Sequence, residues 1–238
     1  MGGNRSVFSF KQFSLAHGNP GLKISTEACI LGAWARPFAK GKILDIGTGC
    51  GLLACMLAQS NPNSVIDAIE IHPEVAILAS KNIQNSPFKN QIQIILGDIK
   101  LACAQANYDF IISNPPFFAN HLASSSKDKQ MAIHDDALSP MDLALAIKNH
   151  LAQNGQFAVI YPKDVMHKFE LELNKNELFI QKLAFVYPKH QSEILRVLCL
   201  GGFVKQEKIS ENIYIKDQNN EYTDLFKFLL KPYYLIFE

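Results

Sequence analysis

Short apolar runs rich in β-branched residues alternate, from residue 42 onwards, with longer segments whose apolar positions repeat with a helical period. This alternation is typical of strands and helices that build a mostly parallel sheet. We therefore predict an α/β fold. The predicted strands span 42–46, 64–70, 91–96, 108–113 and 155–161, and the predicted helices span 51–60, 73–85 and 139–153.

The last third of the chain carries two long β-like runs, 178–187 and 193–200, after a predicted helix that ends near residue 174. The gap between the two runs is too short for a parallel crossover, which needs a dozen or more residues. They must therefore pair as an antiparallel hairpin, which gives a seven-stranded, mostly parallel sheet. A short amphipathic helix over 221–230 and an apolar tail at 233–237 follow.

The N-terminal segment 7–13 alternates aromatic with polar side chains, which predicts a strand that enters a turn at 17–21. Thr26 can then cap a helix over 27–35. No internal repeat or low-complexity linker divides the sequence. We predict one domain over 1–238, in which 1–40 form an N-terminal extension of a strand and a helix.

Composition narrows the kind of protein. With 238 residues and 48% hydrophobic content the chain can bury a large core, and its formal net charge of +1 gives no global field that would attract a polyanion. The five cysteines lie mostly in apolar runs, which favours a reducing, cytoplasmic setting. Their spacing fits no zinc or iron–sulfur site, and no run is long enough to span a membrane. We expect neither metal nor membrane.

A glycine-rich turn follows the first core strand. Asp45 is the penultimate residue of that strand, and Gly47, Gly49 and Gly51 follow the strand and precede a helix. Glycines at such a turn let the backbone approach a ligand closely. The spacing G-x-G-x-G and the preceding acid differ from the dinucleotide pattern, so a cationic ligand that carries an amino acid is favoured over a pyrophosphate.

Acidic residues end the next two strands. Glu70 stands where a carboxylate in an open α/β sheet accepts hydrogen bonds from both hydroxyls of a ribose. Asp98 follows Gly97 at the end of the third strand, where it can reach an adenine amino group. Carboxyl ends of parallel strands share one edge, so Asp45, Glu70 and Asp98 are predicted to border one crevice.

The fourth strand ends in Asn114, Pro115, Pro116 and Phe117. Two consecutive prolines remove two N–H donors and stiffen the backbone. The Asn114 side-chain oxygen and the Pro115 carbonyl are then fixed acceptors for an –NH2 group, and Phe117 offers a face on which a planar substrate can stack. An ordinary rigid turn is the alternative interpretation.

Together these residues resemble the motif set of class I amino-methyltransferases. The resemblance implies a Rossmann-like fold, S-adenosylmethionine as cofactor and transfer of its methyl group to an amino nitrogen. It places Asp45 and the three glycines beside the methionine part of the cofactor, Glu70 on the ribose and Asp98 at the adenine. Asn114, Pro115, Pro116 and Phe117 would be the catalytic motif.

The flanking segments resemble the tRNA-valine (adenine-37) N6-methyltransferases, through 8–13, 22–34 and 196–198 and the C-terminal Tyr233-Tyr234-Leu235. This resemblance covers nearly the whole chain and implies tRNA as the substrate, with 1–40 packed on the cofactor and substrate side. The chain departs from the family pattern at Glu27 and Ala28, where Asp and Gly are expected, and at Phe117, where Tyr often stands.

Other functions remain open at the level of sequence. Methylation of guanine N2 in ribosomal RNA and of a protein glutamine at N5 both use an amino group that the same motif can hold. A sheet that only binds the cofactor is a further alternative. Candidates for RNA contact are basic residues that could converge around the crevice, and a polar loop over 119–136 that could close on the base. Scattered, solvated lysines are the favoured interpretation of the first, and a disordered surface loop is an equal alternative for the second. These basic residues are Lys11, His17, Lys23, Lys127 and Lys129.

Overall fold

A computed structural model of the chain describes residues 6–17, 24–102, 107–116 and 138–238. The strands in these ranges are β1 (Ser6–Ser9), β2 (Ser14–His17), β3 (Lys42–Ile46), β4 (Val65–Glu70), β5 (Ile92–Leu96), β6 (Tyr108–Ser113), β7 (Leu151–Tyr161), β8 (Phe179–Lys189), β9 (Arg196–Gly202) and β10 (Ile209–Lys216). The helices are α1 (Thr26–Ala35), α2 (Leu52–Ser60), α3 (Pro73–Gln84), α4 (Pro140–His150), α5 (Lys163–Lys175) and α6 (Asp224–Leu230).

The main sheet has, within the described ranges, eight strands in the order β10-β8-β9-β7-β6-β3-β4-β5. Strands β3 to β7 pair in parallel, and β9 runs antiparallel to both of its neighbours, β7 and β8. The predicted mostly parallel sheet with an antiparallel hairpin is therefore confirmed. The predicted number of seven strands is wrong, because β10 pairs in parallel with β8 at the edge of the sheet.

Strand β10 gave no clear signal in the sequence because it is an edge strand. Ile213 is its one fully buried residue, and most of its other side chains are polar or partly exposed. Side chains fasten it to the body of the protein: the Trp34 indole N–H donates to Glu211 Oε1 at 2.5 Å, and Lys182 Nζ lies 2.9 Å from the same oxygen. Polar contacts of this kind come from distant parts of the chain and leave no local pattern.

The N-terminal segment is a hairpin and not the single strand predicted over 7–13. Strands β1 and β2 pair antiparallel, and the Phe10 N–H donates to the Phe13 carbonyl at 2.8 Å across the reversal. The two phenyl rings stack at 4.5 Å and both are buried, so aromatic packing closes a turn that has no glycine, proline or asparagine. The turn predicted at 17–21 lies mostly outside the described residues.

Several helix boundaries differ from the prediction, most clearly those of α1, α4 and α6. Ser25, and not Thr26, caps α1, because its hydroxyl oxygen accepts the Ala28 N–H at 3.1 Å. Helix α4 ends at His150 because β7 begins at the next residue. Helix α6 begins at Asp224 with Thr223 as its cap, three residues later than predicted.

Helices cover both faces of the sheet. Helices α1, α2 and α6 contribute side chains to one hydrophobic cluster, and α4 and α5 contribute to a second cluster on the other side. Central strands of a parallel sheet are buried in this way, which explains their nearly continuous apolar sequences. The polar groups that follow these strands are thereby left to gather at the carboxyl edge.

Candidate active site

The carboxyl ends of β6, β3, β4 and β5 lie side by side. Ser113 of β6 is opposite Ile46 of β3, which in turn is opposite Ile69 of β4. Glu70 is opposite Leu96 of β5. The residues that follow these strands, Asn114, Gly47 and Gly97, therefore stand in a row with Glu70 along one edge, as the sequence predicts.

A pocket of about 680 Å³ opens at this edge. Most of the predicted site residues line it: Gly47, Gly49, Glu70, Asp98, Asn114, Pro115 and Pro116. Asp45 and Gly51 are not among its lining residues, and Phe117 lies outside the described residues. A second cavity of about 540 Å³ lies between the β1–β2 hairpin and the end of α3, and it contains none of the predicted site residues.

The glycine loop turns sharply and exposes its backbone to the pocket. Gly47, Gly49 and Gly51 have φ values of 70°, 60° and 88°, in the left-handed region that favours glycine. The N–H groups of Gly47 and Thr48 both donate to the Ile69 carbonyl, at 3.0 and 3.1 Å. A Cβ at Gly47 would meet no atom within 4 Å, so this backbone borders open space where a ligand can approach it.

Asp45 supports this loop from behind. Its Oδ2 accepts hydrogen bonds from the Thr48 hydroxyl at 2.6 Å and the Ala54 N–H at 3.2 Å, and the side chain is fully buried. Burial raises the pKa of Asp45 from its ordinary value to about 7, against the opposing effect of these hydrogen bonds. The sequence assigned Asp45 to direct cofactor binding, whereas the structure places it beneath the loop, where it fixes the turn and the start of α2.

Glu70 joins the pocket to the loop. One of its oxygens accepts the Gly49 N–H at 3.0 Å, and the other accepts the His72 N–H at 3.1 Å. The side chain is only 6% exposed. A carboxylate has about four acceptor positions. Each oxygen of Glu70 therefore retains capacity for a hydroxyl donor, which fits the two hydroxyls of a ribose.

Asp98 lies at the far end of the row of strand ends. Its Oδ1 accepts the Lys100 N–H at 2.9 Å, and its Oδ2 lies 3.6 Å from Lys100 Nζ. Ile71, which follows Glu70, and Ile99, which follows Asp98, line the same pocket. An acid beside apolar walls suits a flat heterocycle that carries an amino group.

Asn114 stands at the opposite end, next to the glycine loop. The buried Ser113 hydroxyl donates to the Ile46 carbonyl at 2.8 Å, which holds the end of β6 against the end of β3. Asn114 is partly buried, Pro115 is buried and Pro116 is exposed. The two prolines leave this backbone without N–H donors, so acceptors dominate the side of the pocket that adjoins Gly47.

A charged pair that the sequence did not assign completes the wall. Arg196, the first residue of β9, places Nη2 3.6 Å from Glu27 Oε1 of α1, and both residues line the pocket. Both lie in segments that resemble the family pattern, but only the tertiary fold brings them together. His72 and Leu138 also line the pocket, again without a local signal beyond their position after a strand or before a helix.

The predicted basic residues do not gather at this pocket in the described structure. The Lys11 ammonium donates a hydrogen bond to the Phe237 carbonyl, and Lys11 lines the second cavity. His17 is the last residue of β2. Lys23, Lys127 and Lys129 lie outside the described residues, as does the predicted loop at 119–136. Burial raises the pKa of the Cys50 thiol to about 11, which makes it a packing residue and not a reactive thiolate.

The described residues contain no group of three or more His, Cys, Asp or Glu side chains arranged to hold a metal ion. None of the helices in these ranges combines the length and apolarity that crossing a bilayer requires.

Comparison with known proteins defines the class. Residues 28–179 match the family described as methyltransferase small domain. The fold is similar to a crystal structure of a predicted O-methyltransferase, protein Atu636 from Agrobacterium tumefaciens, with a TM-score of 0.67 and 14% identity over 86% of this chain and 95% of that chain. It is also similar to the glycopeptide N-methyltransferase MtfA complexed with S-adenosyl-L-methionine, with a TM-score of 0.54 and 12% identity over 75% of this chain and 93% of the other. The protein is a class I methyltransferase.

The family within that class follows from sequence identity. The tRNA1(Val) (adenine(37)-N6)-methyltransferase of Bacteroides fragilis (strain YCH46) is 35% identical over 235 residues, which cover 98% of this chain and 99% of the relative. The chain belongs to the tRNA1(Val) (adenine(37)-N6)-methyltransferase family. The family predicted from the sequence is thereby confirmed.

The cofactor of this class is S-adenosylmethionine, and the residues of the pocket fit it. Glu70 has acceptor capacity for two hydroxyls, and the space beside Gly47 is open to a ligand. The pocket is also large enough for a ligand of nucleoside size with an amino-acid tail.

Proposed function

We propose that this protein transfers the methyl group of S-adenosylmethionine to the exocyclic N6 of adenine 37 in tRNA1(Val). The observation that carries the proposal is the position of Asn114, which lines the same pocket as Gly47 and Glu70 and is followed by two prolines. Membership of the family over nearly the full chain supports the choice of tRNA as substrate. The whole chain acts as one domain, with the hairpin and α1 on the cofactor and substrate side.

The residues along the row of strand ends would hold the cofactor. Backbone of Gly47 and Gly49 would contact its methionine part, Glu70 would accept from the ribose hydroxyls, and Asp98 would accept from the adenine amino group. Gly51 permits the left-handed turn into α2. Asp45 acts indirectly, because its hydrogen bonds to Thr48 and Ala54 hold that turn in place. When bound, S-adenosylmethionine would supply an electrophilic methyl group, and cleavage of its S–CH3 bond would leave the neutral thioether S-adenosylhomocysteine.

The catalytic residues act on the nucleophile. The exocyclic nitrogen of adenine is a weak nucleophile because its lone pair is delocalised into the ring. The Asn114 side-chain oxygen and the Pro115 carbonyl each accept one N–H of this amino group, which favours a pyramidal nitrogen and returns density to the lone pair. The sequence motif assigns Phe117, which lies outside the described residues, the role of a stacking face for the ring.

This arrangement requires no general base with a tuned pKa. The nitrogen becomes acidic only once the methyl group has been transferred, so its proton can then pass to water at the mouth of the pocket. Rigid acceptors that need no reorganisation during the reaction are the main contribution of the protein. The two prolines provide this rigidity.

The test is transfer of tritiated methyl groups from S-adenosylmethionine to tRNA that lacks its own modifications, followed by digestion to nucleosides and chromatography. We expect the label in N6-methyladenosine. Mapping of the labelled tRNA by specific cleavage should locate the label at position 37. Label in N2-methylguanosine with ribosomal RNA as the better substrate, or label in a protein glutamine, would overturn the proposal. A matched reaction with Asn114→Ala protein controls for contaminating enzymes.

A further inference from the structure

The sheet edge that carries the pocket continues beyond Arg196. Strand β9 is antiparallel to both β7 and β8, and β10 is parallel to β8. Strands β8 and β10 therefore run in the same direction as β7, and their C-terminal ends lie at the carboxyl edge. Arg196 lines the pocket and is opposite Val186 of β8, so Tyr187 stands one strand beyond the pocket wall.

Three aromatic rings stack at this end of the sheet. Tyr187 and Tyr214 are opposite each other in register, with ring centroids 5.0 Å apart and planes at 25°. The His190 ring lies 4.0 Å from Tyr214 at 13°, and His190 is exposed. We call these three side chains the aromatic stack. An exposed, nearly parallel ring at its end is a surface on which another flat ring can stack.

Positive charges adjoin the aromatic stack. Lys189 and Lys216 are opposite each other in register, and like charges in that position destabilise a strand pair. Within the described ranges neither ammonium forms a salt bridge, although Lys216 Nζ lies 5.4 Å from the centre of the Tyr222 ring. An anionic group bound between the two lysines would relieve this repulsion.

We infer that the aromatic stack and these two lysines bind the RNA next to the methylated nucleotide. An unpaired base stacks on the His190 ring, and the neighbouring phosphates contact Lys189 and Lys216. The strand backbones that carry the stack lie about 5 to 10 Å across the sheet from Arg196. Tyr187 and Tyr214 alternate along their strands with Val186 and Ile213, which pack in the cluster on the α1 side, so the stack projects from the opposite face of the sheet to Arg196. A single-stranded segment that passes around the carboxyl edge can contact the stack while its target base enters the pocket. The inference rests on the proposed function, because it takes RNA as the substrate.

The combination favours RNA over an acidic peptide. Lysines alone would serve any anion, but a flat exposed ring beside them matches a nucleobase joined to phosphate. The stacking contact does not depend on the identity of the base. It would therefore position the substrate strand, while the pocket selects the base that reacts.

The test compares His190→Ala with His190→Phe, which keeps a flat ring. Steady-state methyl transfer to unmodified tRNA gives kcat and KM, and fluorescence anisotropy gives the Kd for tRNA. We expect His190→Ala to raise KM and the Kd about tenfold or more, with kcat and cofactor affinity unchanged, and His190→Phe to restore both. Equal defects in the two variants, or values within twofold of wild type for His190→Ala, would overturn the inference.

The lysines are tested by the salt dependence of tRNA binding. Each phosphate contact in a single strand contributes about 0.7 to the slope of log affinity against log salt, so the double variant Lys189→Ala, Lys216→Ala should lower it by about 1.4. Lys89→Ala, an exposed lysine just before β5 at the opposite edge, is the matched control and should leave the slope unchanged. The same slope in the double variant and the control would count against the inference.

Failure of the inference and failure of the proposed function have different signatures. If wild-type protein methylates tRNA but the ring and lysine variants behave as wild type, only the inference is lost. If wild-type protein transfers no methyl group to tRNA, the proposed function is lost. If it also binds no tRNA, the inference is lost with it.

Discussion

The Gly49 N–H donates a hydrogen bond to Glu70 Oε2 at 3.0 Å, so the carboxylate assigned to the ribose also holds the loop assigned to the methionine part. The second oxygen of Glu70 in turn accepts the His72 N–H at the start of α3. One side chain thus sets the spacing between two walls of the pocket. Its removal should disturb both contacts to the cofactor at once.

Substitution of Glu70 therefore tests the cofactor site. We expect Glu70→Ala to weaken S-adenosylmethionine binding about tenfold or more, because hydrogen bonds to a charged acceptor are lost. Glu70→Gln keeps one carbonyl acceptor and should lose less affinity. Isothermal titration calorimetry measures both. Glu74→Ala is the control, because Glu74 is an exposed acid in the first turn of α3. Equal cofactor affinities for Glu70→Ala, Glu70→Gln and Glu74→Ala would refute the assignment of Glu70 to the ribose.

Substitution of Asn114 tests catalysis separately from cofactor binding. Asn114→Ala removes one of the two acceptors for the amino group, and loss of one such preorganised contact lowers kcat by about 10² to 10³. The Kd for S-adenosylmethionine should stay within about twofold of wild type. Single-turnover transfer measures the first quantity and calorimetry the second. Asn90→Ala, at an exposed asparagine before β5, should change neither, and a comparable loss of cofactor affinity in Asn114→Ala would reassign the residue.

Asp45 should make the stability of the fold depend on pH. Its pKa is raised from 3.8 to about 7 in the folded chain, so between these values the folded protein keeps a proton that the unfolded chain has lost. The free energy of unfolding should therefore fall as pH rises from about 4 to about 7, by up to about 4 kcal/mol from this residue alone. Above that range the contribution no longer changes.

The isosteric variant Asp45→Asn isolates this effect. The amide oxygen of the new side chain can still accept hydrogen bonds from Thr48 and Ala54, but an amide does not titrate in this pH range. Urea unfolding of both proteins at pH 5, 6, 7 and 8 gives the difference in free energy of unfolding at each pH. We expect wild type to lose stability relative to Asp45→Asn up to about pH 7. Parallel profiles would show that Asp45 keeps an ordinary pKa.

Gly47→Ala and Gly41→Ala form a matched pair for the glycine loop. Both positions have positive φ, 70° and 62°, so both variants carry a backbone penalty of about 1 kcal/mol. The new methyl at position 47 would point into the open pocket, whereas at position 41 it would clash with Asp109 Oδ2 at 2.0 Å. We expect Gly47→Ala to lose cofactor affinity and only this backbone penalty in stability. Gly41→Ala should keep cofactor affinity and lose more stability, because the clash adds to the penalty. Thermal unfolding and calorimetry distinguish them, and the same pattern in both would exclude a ligand contact at Gly47.

The central strands and the line of site residues were predictable because one feature encodes both. Buried parallel strands must be apolar, whereas the residue at the end of each strand can be polar or glycine because it lies at the edge of the sheet. Ile46, Ile69 and Ser113 are neighbours in register, so the polar or glycine residues after them meet without further information. Local sequence thus determines this part of the site.

The remaining differences arise from contacts that no local sequence rule predicts. The reversal at Phe10 and Phe13 is closed by two stacked rings and not by turn residues, so it has no turn signature. Glu27 and Arg196 meet only because α1 packs near β9, and sequence spacing says nothing about that approach. The sequence predicts Asp45 in the pocket. Its burial beneath the loop is a property of the folded state, which the local sequence does not reveal.

The two ends of the chain are joined in the finished structure. The Lys11 N–H donates to the Tyr233 carbonyl at 2.8 Å, the rings of Phe8 and Tyr234 lie 6.1 Å apart, and α1 packs on α6. Helix α1 has buried side chains at nearly every position, yet part of its cover is α6, which comes far later along the chain. During translation the nascent chain must therefore keep an apolar helix exposed until α6 has been synthesised, so a product that stops before α6 would be a natural target for chaperones and proteases.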